Sequence, residues 1–403
     1  MKRLYLFDDT RARQFEPFAL TRPVSELRAG AEIIRSRWER VAGTRAYGFI
    51  AGAHLNDFDE PGAAPSVSSE ATIPSGSVIA NSRFVPNLSG SVDDTSASYS
   101  CEGVMCAVTL RQSIEMSELA EGSVDFRQLA SPGTTSAELP GRWLNEVWDL
   151  VGQLNDQLID DIPIMGQSLA GGVVENATVV GSHKVYLEMG ASIEPFVVLD
   201  ASAGPILIRR GASIASFTRI VGPCYIGENS TIAGDAIRAC SIGDVCKVRG
   251  EISGSVMLGH SNKGHTGFVG SSYVGRWVNL GAGTTTSNLK NTYGSVQIST
   301  PSGLRDTGLQ FLGSLVGDHV KTGIGTMLTT GCVIGAGANV YGASTSPKRI
   351  PAFAWGDCEP YDRYELDKFL EVAARMMERR HVTLSDAARR QLAAAYNASA
   401  GKE

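Results

Sequence analysis

From Ile208 the chain sets an aliphatic residue at every sixth position: Ile208, Ile214, Ile220, Ile226 and Ile232. Each is followed by one or two small, polar or glycine residues, as in IASFTR, IVGPCY, IGENST and IAGDA. Val174 and Val180 fit the spacing, as do Leu187, Ile193 and Leu199. Ile242 and Val248 resume it after a shift, followed by Val274 and Leu280 and then by Leu328, Ile334 and Val340. A six-residue period drifts around a helix and lines no face of it. A β-sandwich would want two-residue alternation instead. A short strand on each side of a triangular prism meets the pattern, with one aliphatic side chain inward per face and a glycine or small residue at each corner. Repeats of this kind stack into a solenoid whose coils, ~4.8 Å apart, bury one another. Residues 166–345 are therefore expected to form a β-helix.

The rest of the chain reads differently. Residues 1–140 mix short apolar runs (LYLF, YGFIAGAH, SVIANSRFV) with helical stretches and suggest an α/β domain. Within it, Ser25–Val41 is expected as an amphipathic helix with Ser25 at its N-cap. Residues 141–165 carry apolar side chains at helical spacing (Trp143, Leu144, Val147, Trp148, Val151, Leu154, Leu158) and read as a linker helix. Residues 346–403 hold two further helical stretches, 362–380 and 384–397. Solenoids need such caps over their open ends.

Composition narrows the partners. The net charge of −6 speaks against nucleic acid, which usually demands a basic face. The seven cysteines include no C-x-x-C pair and are expected as reduced thiols rather than disulfides or metal ligands. MKRLYLFDDTRAR is too short in its apolar run and too acidic for a signal peptide, and no stretch reaches the ~18 apolar residues of a membrane span. These features predict a cytoplasmic protein with no membrane partner.

The repeat breaks at GHSNKGHTGFVG (259–270) and again at 284–308. His260, Lys263, His265, Asn279, Asn288 and Lys290 gather around these breaks, where a purely structural coil has no use for them. The run K-x-H-x-x-F-V-G, followed by V-N-L-G-A-G-T and S-N, resembles the acetyltransferase half of the bifunctional N-acetylglucosamine-1-phosphate uridyltransferase / glucosamine-1-phosphate N-acetyltransferase family. PFALTRPVSELRAG, VIANSRFVP, GPILIRRGASI, NKGHTGFVGSSYVGRWVNLGAGT, SNLKNTYG and FAWG are similar to a second group, sugar-nucleotidyltransferase-like proteins with the same two-domain plan.

The resemblance implies a degenerate nucleotidyltransferase-like α/β domain ahead of a left-handed parallel β-helix of hexapeptide repeats, and a homotrimer. It implies His265 as general base, Asn279 and Asn288 as substrate-site residues, and Ala282, Ser314 and Ala336 at the acetyl-CoA donor. Phe268 stands where the family has tyrosine, so a hydroxyl contact is missing. Physical chemistry adds roles of its own. An amino sugar attacks a thioester only as the free amine, and histidine suits proton removal near neutral pH. Backbone N–H groups around Gly281–Gly283 are candidates for the oxyanion. Lys263, Lys290 and Arg249 are candidates for a sugar phosphate, and Glu251 for orienting the base or binding a sugar hydroxyl. The substrates expected are an amino-sugar phosphate and an acyl-CoA.

A rival is a zinc site like that of the γ-class carbonic anhydrases, since His260 and His265 lie five apart. It needs a third histidine, and His183 lies 77 residues before His260, much more than two coils of ~18 residues. No metal is expected at the β-helix. In the N-terminal domain, the family's glycine-rich phosphate loop is replaced by LFDDTRARQFEPFALTRP. Asp8 and Asp9 would repel a triphosphate unless Mg²⁺ intervened. Arg11, Arg22, Arg28, Asn81 and Arg83 are the candidates to grip phosphate there. The alternative function is thus nucleotidyl transfer between an NTP and a sugar 1-phosphate, with the β-helix serving mainly to oligomerise. A non-catalytic scaffold is a third possibility.

Overall fold

The computed structural model of the chain describes residues 3–93, 96–130, 136–169, 171–172 and 174–400. It divides into two compact units, Met1–Val147 with Ser385–Ala400, and Trp148–Leu384.

The first unit is built on a six-stranded mixed sheet. LYLF (Leu4–Phe7) lies between Ala46–Ile50 and Val78–Asn81, parallel to both. It is fully buried, as expected of a strand covered on both faces. Val104–Thr109 extends the sheet antiparallel, followed by Ser98–Cys101 and Ser136–Glu138. One face is packed by Phe7, Ile79, Val108 and Phe126. Against the sheet lies the helix Ile34–Ala42, whose buried Trp38 donates its indole N–H to the Phe84 carbonyl at 3.1 Å. The helix is shorter than the expected Ser25–Val41. Ser25 sits in a 3₁₀ turn (Val24–Glu26), and Arg28–Ala29 pairs with Glu32–Ile33 as a small hairpin. Gly30, at φ 63°, takes the hairpin bend that a helix cannot contain.

Gly141–Trp143, expected as the start of a helix, pairs antiparallel with Phe84–Pro86. Helices follow only at Asp149–Gly152 and Leu154–Gln167. The two C-terminal helices part company. Leu366–Glu378 belongs to the second unit, whereas Asp386–Ser399 belongs to the first and packs on Ala53–Leu55, with Arg390 paired to Asp57 at 2.8 Å. The expected cap therefore consists of one helix.

The second unit is a parallel β-helix whose strands of two to four residues form three main ladders. On the second face the inward stack runs Leu187, Ile208, Ile226, Ile242, Met257, Val274, Val316, Ile334 and Ile350. All are buried in one continuous core. Ile350 carries the solenoid past the expected end at 345.

The spacing of this stack accounts for the slipped register. From Ile208 to Ile226 a turn takes eighteen residues, but the next two take sixteen and fifteen. Val274 to Val316 takes forty-two, because the chain leaves the prism to form the hairpin Gln297–Thr300/Gly303–Asp306. Val180 is one position out of register: Val179 pairs with Leu199 and Val180 with Asp200, and Val180 is 44% exposed.

One corner departs from the small-residue expectation. Three residues after successive inward positions of the second face, Asn229, Val245, His260, Trp277, His319 and Phe353 all have positive φ. Left-handed backbone costs a bulky residue ~1–2 kcal/mol. Packing offsets it here, since the side chains touch along the corner: His260 lies 4.4 Å from Trp277 and Trp277 6.4 Å from His319, centroid to centroid. His319 and Phe353 in turn meet Phe369 of the helix Leu366–Glu378 at 5.8 and 5.0 Å. The corner thus holds the closing helix against the prism.

The register makes a direct prediction. Ile226→Ala should cost ~2–5 kcal/mol and lower the melting temperature of the full chain by several degrees. Val180→Ala should stay within ~0.5 kcal/mol. Equal effects in thermal unfolding would overturn the assignment of inward positions.

Candidate functional site

On the third face the inward stack reads Ile193, Ile214, Ile232, Val248 and then Lys263. Lys263 is completely buried, so it cannot serve as the exposed phosphate ligand expected from sequence. Its stem fills an aliphatic position. Its amine donates to the carbonyls of His265 at 2.6 Å and Thr266 at 2.9 Å. Burial pushes the amine down to about 8. The turn it holds has little other freedom. Gly267 has φ 128°, and a Cβ there would lie 2.3 Å from the Thr284 carbonyl oxygen and 3.1 Å from the Lys263 amine. His265, whose backbone carbonyl Lys263 holds from inside, is exposed at the corner between the third and first faces.

Outward from that corner runs a groove of about 560 Å³. Its floor is the outer side of the third face, where Lys247, Asn262, Asn279 and Lys321 succeed one another in the ladder. The Asn262 amide donates to the Asn279 side-chain carbonyl at 2.7 Å. The Lys321 amine donates to the His319 carbonyl at 3.2 Å, and burial pushes it down to about 8. His265 and His260 line one side. The far wall is the closing helix, with Val372, Arg375 and Met376.

Of the expected site residues, the groove brings together His265 and Asn279. A second group lies round the corner on the first face, where Glu251 pairs in register with Phe268. Beside them the Asn288 amide donates to Ser271 Oγ at 3.2 Å. Lys290 folds into its own insertion and donates to the Ser295 carbonyl at 2.9 Å. Arg249 approaches Asp235 at 3.4 Å. Ser314 and Ala336 are fully buried and do not line the groove. The expected oxyanion donors narrow to one. Gly281 N–H bonds the Thr322 hydroxyl and Gly283 N–H the Thr266 carbonyl, while Ala282 N–H has no hydrogen-bond partner among the described residues.

Lys247, Asn262, Lys321 and the wall of the closing helix were missed in sequence. The signal was present in K-V-R, S-N-K and V-K-T, where a polar residue occupies the same step beside each inward position.

Concerning a metal, His260 packs against Trp277 with the rings tilted, and the Arg276 guanidinium lies 3.1–3.3 Å from its Nδ1. Among the described residues no three His, Cys, Asp or Glu side chains gather as a metal site. Six cysteines are buried and Cys358 is exposed, all of them free thiols. Among the described residues no helix is long and apolar enough to cross a membrane.

In the first unit most of the expected phosphate ligands are engaged by other groups of the protein. Arg83 clasps Asp9 at 2.6 Å, and Asn81 donates to the same carboxylate at 2.9 Å. Burial works to raise the Asp9 carboxyl, but these bonds outweigh it and hold it below the usual range. Arg22 grips Glu60 with two bonds of 2.9 and 3.1 Å, and Arg28 donates to the Ala31 carbonyl. Asp8 is buried, accepts the Val24 N–H at 3.0 Å, and is pushed up to about 6 by burial. Arg11 alone is exposed, 3.4 Å from the Asn145 side chain. One of the acids that replace the phosphate loop, Asp9, is thus the partner of an arginine expected to bind phosphate, Arg83.

Residues 4–168 match a family model described as sugar nucleotidyl transferase. The bifunctional sugar-1-phosphate nucleotidylyltransferase/acetyltransferase of Sulfurisphaera tokodaii is 34% identical over 206 residues, 51% of this chain and 46% of that protein. The bifunctional protein GlmU of Methanococcus vannielii is 28% identical over 202 residues, 49% and 43% respectively. The matches therefore span less than half the length of these relatives. Among solved structures, the UDP-N-acetylglucosamine acyltransferase LpxA of Bacteroides fragilis aligns at 12% identity, covering 55% of this chain and 96% of that one, with a TM-score of 0.23. The N-acyltransferase AntD of Bacillus cereus, solved with a dTDP-amino sugar and coenzyme A, aligns at 13% identity over 50% and 91%, with a TM-score of 0.21.

The buried lysine yields a prediction with a definite sign. Its amine titrates near 8 in the fold and near 10.5 unfolded, so between those values the unfolded chain holds more protons. Stability from this group therefore rises with pH across that window. Lys263→Met removes the titration. Measured by denaturant unfolding, wild type should gain ~1–3 kcal/mol on the variant between pH 7 and pH 10.5. A difference that does not change with pH would contradict the depressed amine.

Proposed function

We propose that the solenoid unit transfers an acyl group from an acyl-CoA, acetyl-CoA in the first instance, to the amine of an amino-sugar phosphate. The observation that carries this reading is an exposed His265, braced from inside by Lys263, at the mouth of a polar groove that also presents Asn279. His265 takes a proton from the acceptor amine as its nitrogen attacks the thioester carbonyl carbon. The carbon–sulfur bond then breaks and the CoA thiolate leaves with that proton. The free N–H of Ala282 suits the transient oxyanion. Glu251 and Asn288 offer a second polar edge for the sugar, with the Phe268 ring beside them. Ser314 and Ala336 act, if at the donor, through backbone only. The relative that is named as an acetyltransferase supports the class of reaction. A homotrimer belongs to the same proposal.

The match of residues 4–168 favours a second reading, nucleotidyl transfer at the first unit. The side chains available fit it poorly. Asp8 is buried and Asp9 is clasped by Arg83, which leaves neither placed to hold Mg²⁺ in the open. No step through that ion follows from these residues. Pyrophosphate release from NTP and a sugar 1-phosphate by the full chain tests this reading.

His265→Ala should reduce acyl transfer by ~10²–10⁴-fold while the melting temperature stays near that of wild type. Turnover at the wild-type rate in this variant, followed by thiol release, would sink the mechanism.

A further inference from the structure

The face that the closing helix turns to the groove is neither apolar nor neutral. Val372, Arg375, Met376 and Arg379 follow one another at i, i+3, i+4 and i+7, which is one helical stripe, and Arg380 adjoins it. The opposite stripe, with Phe369, Leu370, Ala373 and Met377, is buried. From the solenoid side, Lys247 and Lys321 line the same cavity. Three arginines and two lysines therefore share about 560 Å³ in a chain of net charge −6, and no residue lining the cavity is acidic.

Arginines in the last turn of a helix complement its dipole, which accounts for Arg379 and Arg380 taken alone. It does not account for two lysines, three rungs apart in one ladder of the solenoid, lining the same cavity. Glu371, which does not line the cavity, makes an exposed pair with Arg375 at 3.1 Å. The Arg379 and Arg380 guanidinium groups have no hydrogen-bonding or ionic partner among the described residues. Like charges brought together in a partly enclosed space repel unless an anion joins them, and guanidinium groups match phosphate oxygens in a bidentate fork.

We propose that Arg375, Arg379 and Arg380, with Lys247 and Lys321, form a phosphate-binding subsite that takes the phosphate or diphosphate of the ligand whose reacting end lies at His265. The apolar Val372 and Met376 between the arginines suit the carbon skeleton that joins those ends. This deepens the acyl-transfer reading and rests on it for its orientation, but phosphate binding is measured without turnover. The phosphate can belong to the acceptor sugar or to CoA, and the probes separate them.

The test is calorimetric titration of the full chain with inorganic pyrophosphate, glucosamine 1-phosphate and CoA, for wild type, for R379Q/R380Q and for Lys247→Gln on the solenoid side. Wild type is expected to bind at least one phosphate ligand with an affinity that falls as salt rises. Both variants should weaken that binding tenfold or more at unchanged melting temperature. Weakened glucosamine 1-phosphate binding assigns the subsite to the acceptor, and weakened CoA binding assigns it to the donor. Wild type that binds none of the three, or variants that bind all of them as wild type does, would overturn the proposal. If binding behaves as expected but acyl transfer is absent, the subsite stands and the proposed reaction falls.

Discussion

Each turn of the solenoid must bury one side chain per face against the turns before and after it. This stacking of inward residues is the interaction on which the rest of the second unit depends. A short strand of two to four residues has little stability by itself, and the ladder bonds between turns form only if the inward chains are of similar size and stay in register. The stack from Leu187 to Ile350 meets that demand with aliphatic residues and a single methionine. Turn length is the free variable. It shrinks to fifteen residues or expands to forty-two without disturbing the stack, because additions leave at the corners.

Lys263 is an exception that the stack tolerates because a lysine stem is an aliphatic chain and the amine finds two carbonyls. An aliphatic residue in its place would remove the donor from the His265 carbonyl and leave the Thr266 carbonyl with the Gly283 N–H alone. The exchange ties the interior of the prism to the conformation of one external turn, and that turn carries His265. The column of left-handed residues from Asn229 to Phe353 does a related job at another corner. Its aromatic members reach Phe369 and hold the closing helix where its arginines can face the ladder of Lys247 and Lys321. Core, corner and cap together determine the groove.

Much of this was legible in sequence, and the reasons for the remainder are physical. The Ile208–Ile232 run announced the prism because a strict six-residue period has few other solutions. The motif around His265 falls on a turn that borders the groove. Sequence could not tell that Lys263 faces inward, because the shortened turns between Ile226 and Met257 shift the register by several residues just before it. Trp277, His319 and Phe353 gave no sign of being corner residues, since large side chains seldom adopt positive φ and do so here only through mutual packing. In the first unit, the loss of the glycine-rich loop and the gain of Asp8 and Asp9 were visible. That Arg83 and Asn81 are the answering partners of Asp9 required the fold, because seventy-two to seventy-four residues separate them.

The two units are unequal in what they offer chemistry. In the first, the charged residues mostly satisfy one another; in the second, His265, Ala282 N–H and a cationic groove remain available. The most direct test of the central claim is release of CoA thiol from acetyl-CoA by the wild-type full chain, with and without an amino-sugar phosphate. Thiol release that depends on the acceptor, with glucosamine 1-phosphate or another amino-sugar phosphate, is the predicted result. No release with any amino-sugar phosphate, or release indifferent to its presence, would contradict the account.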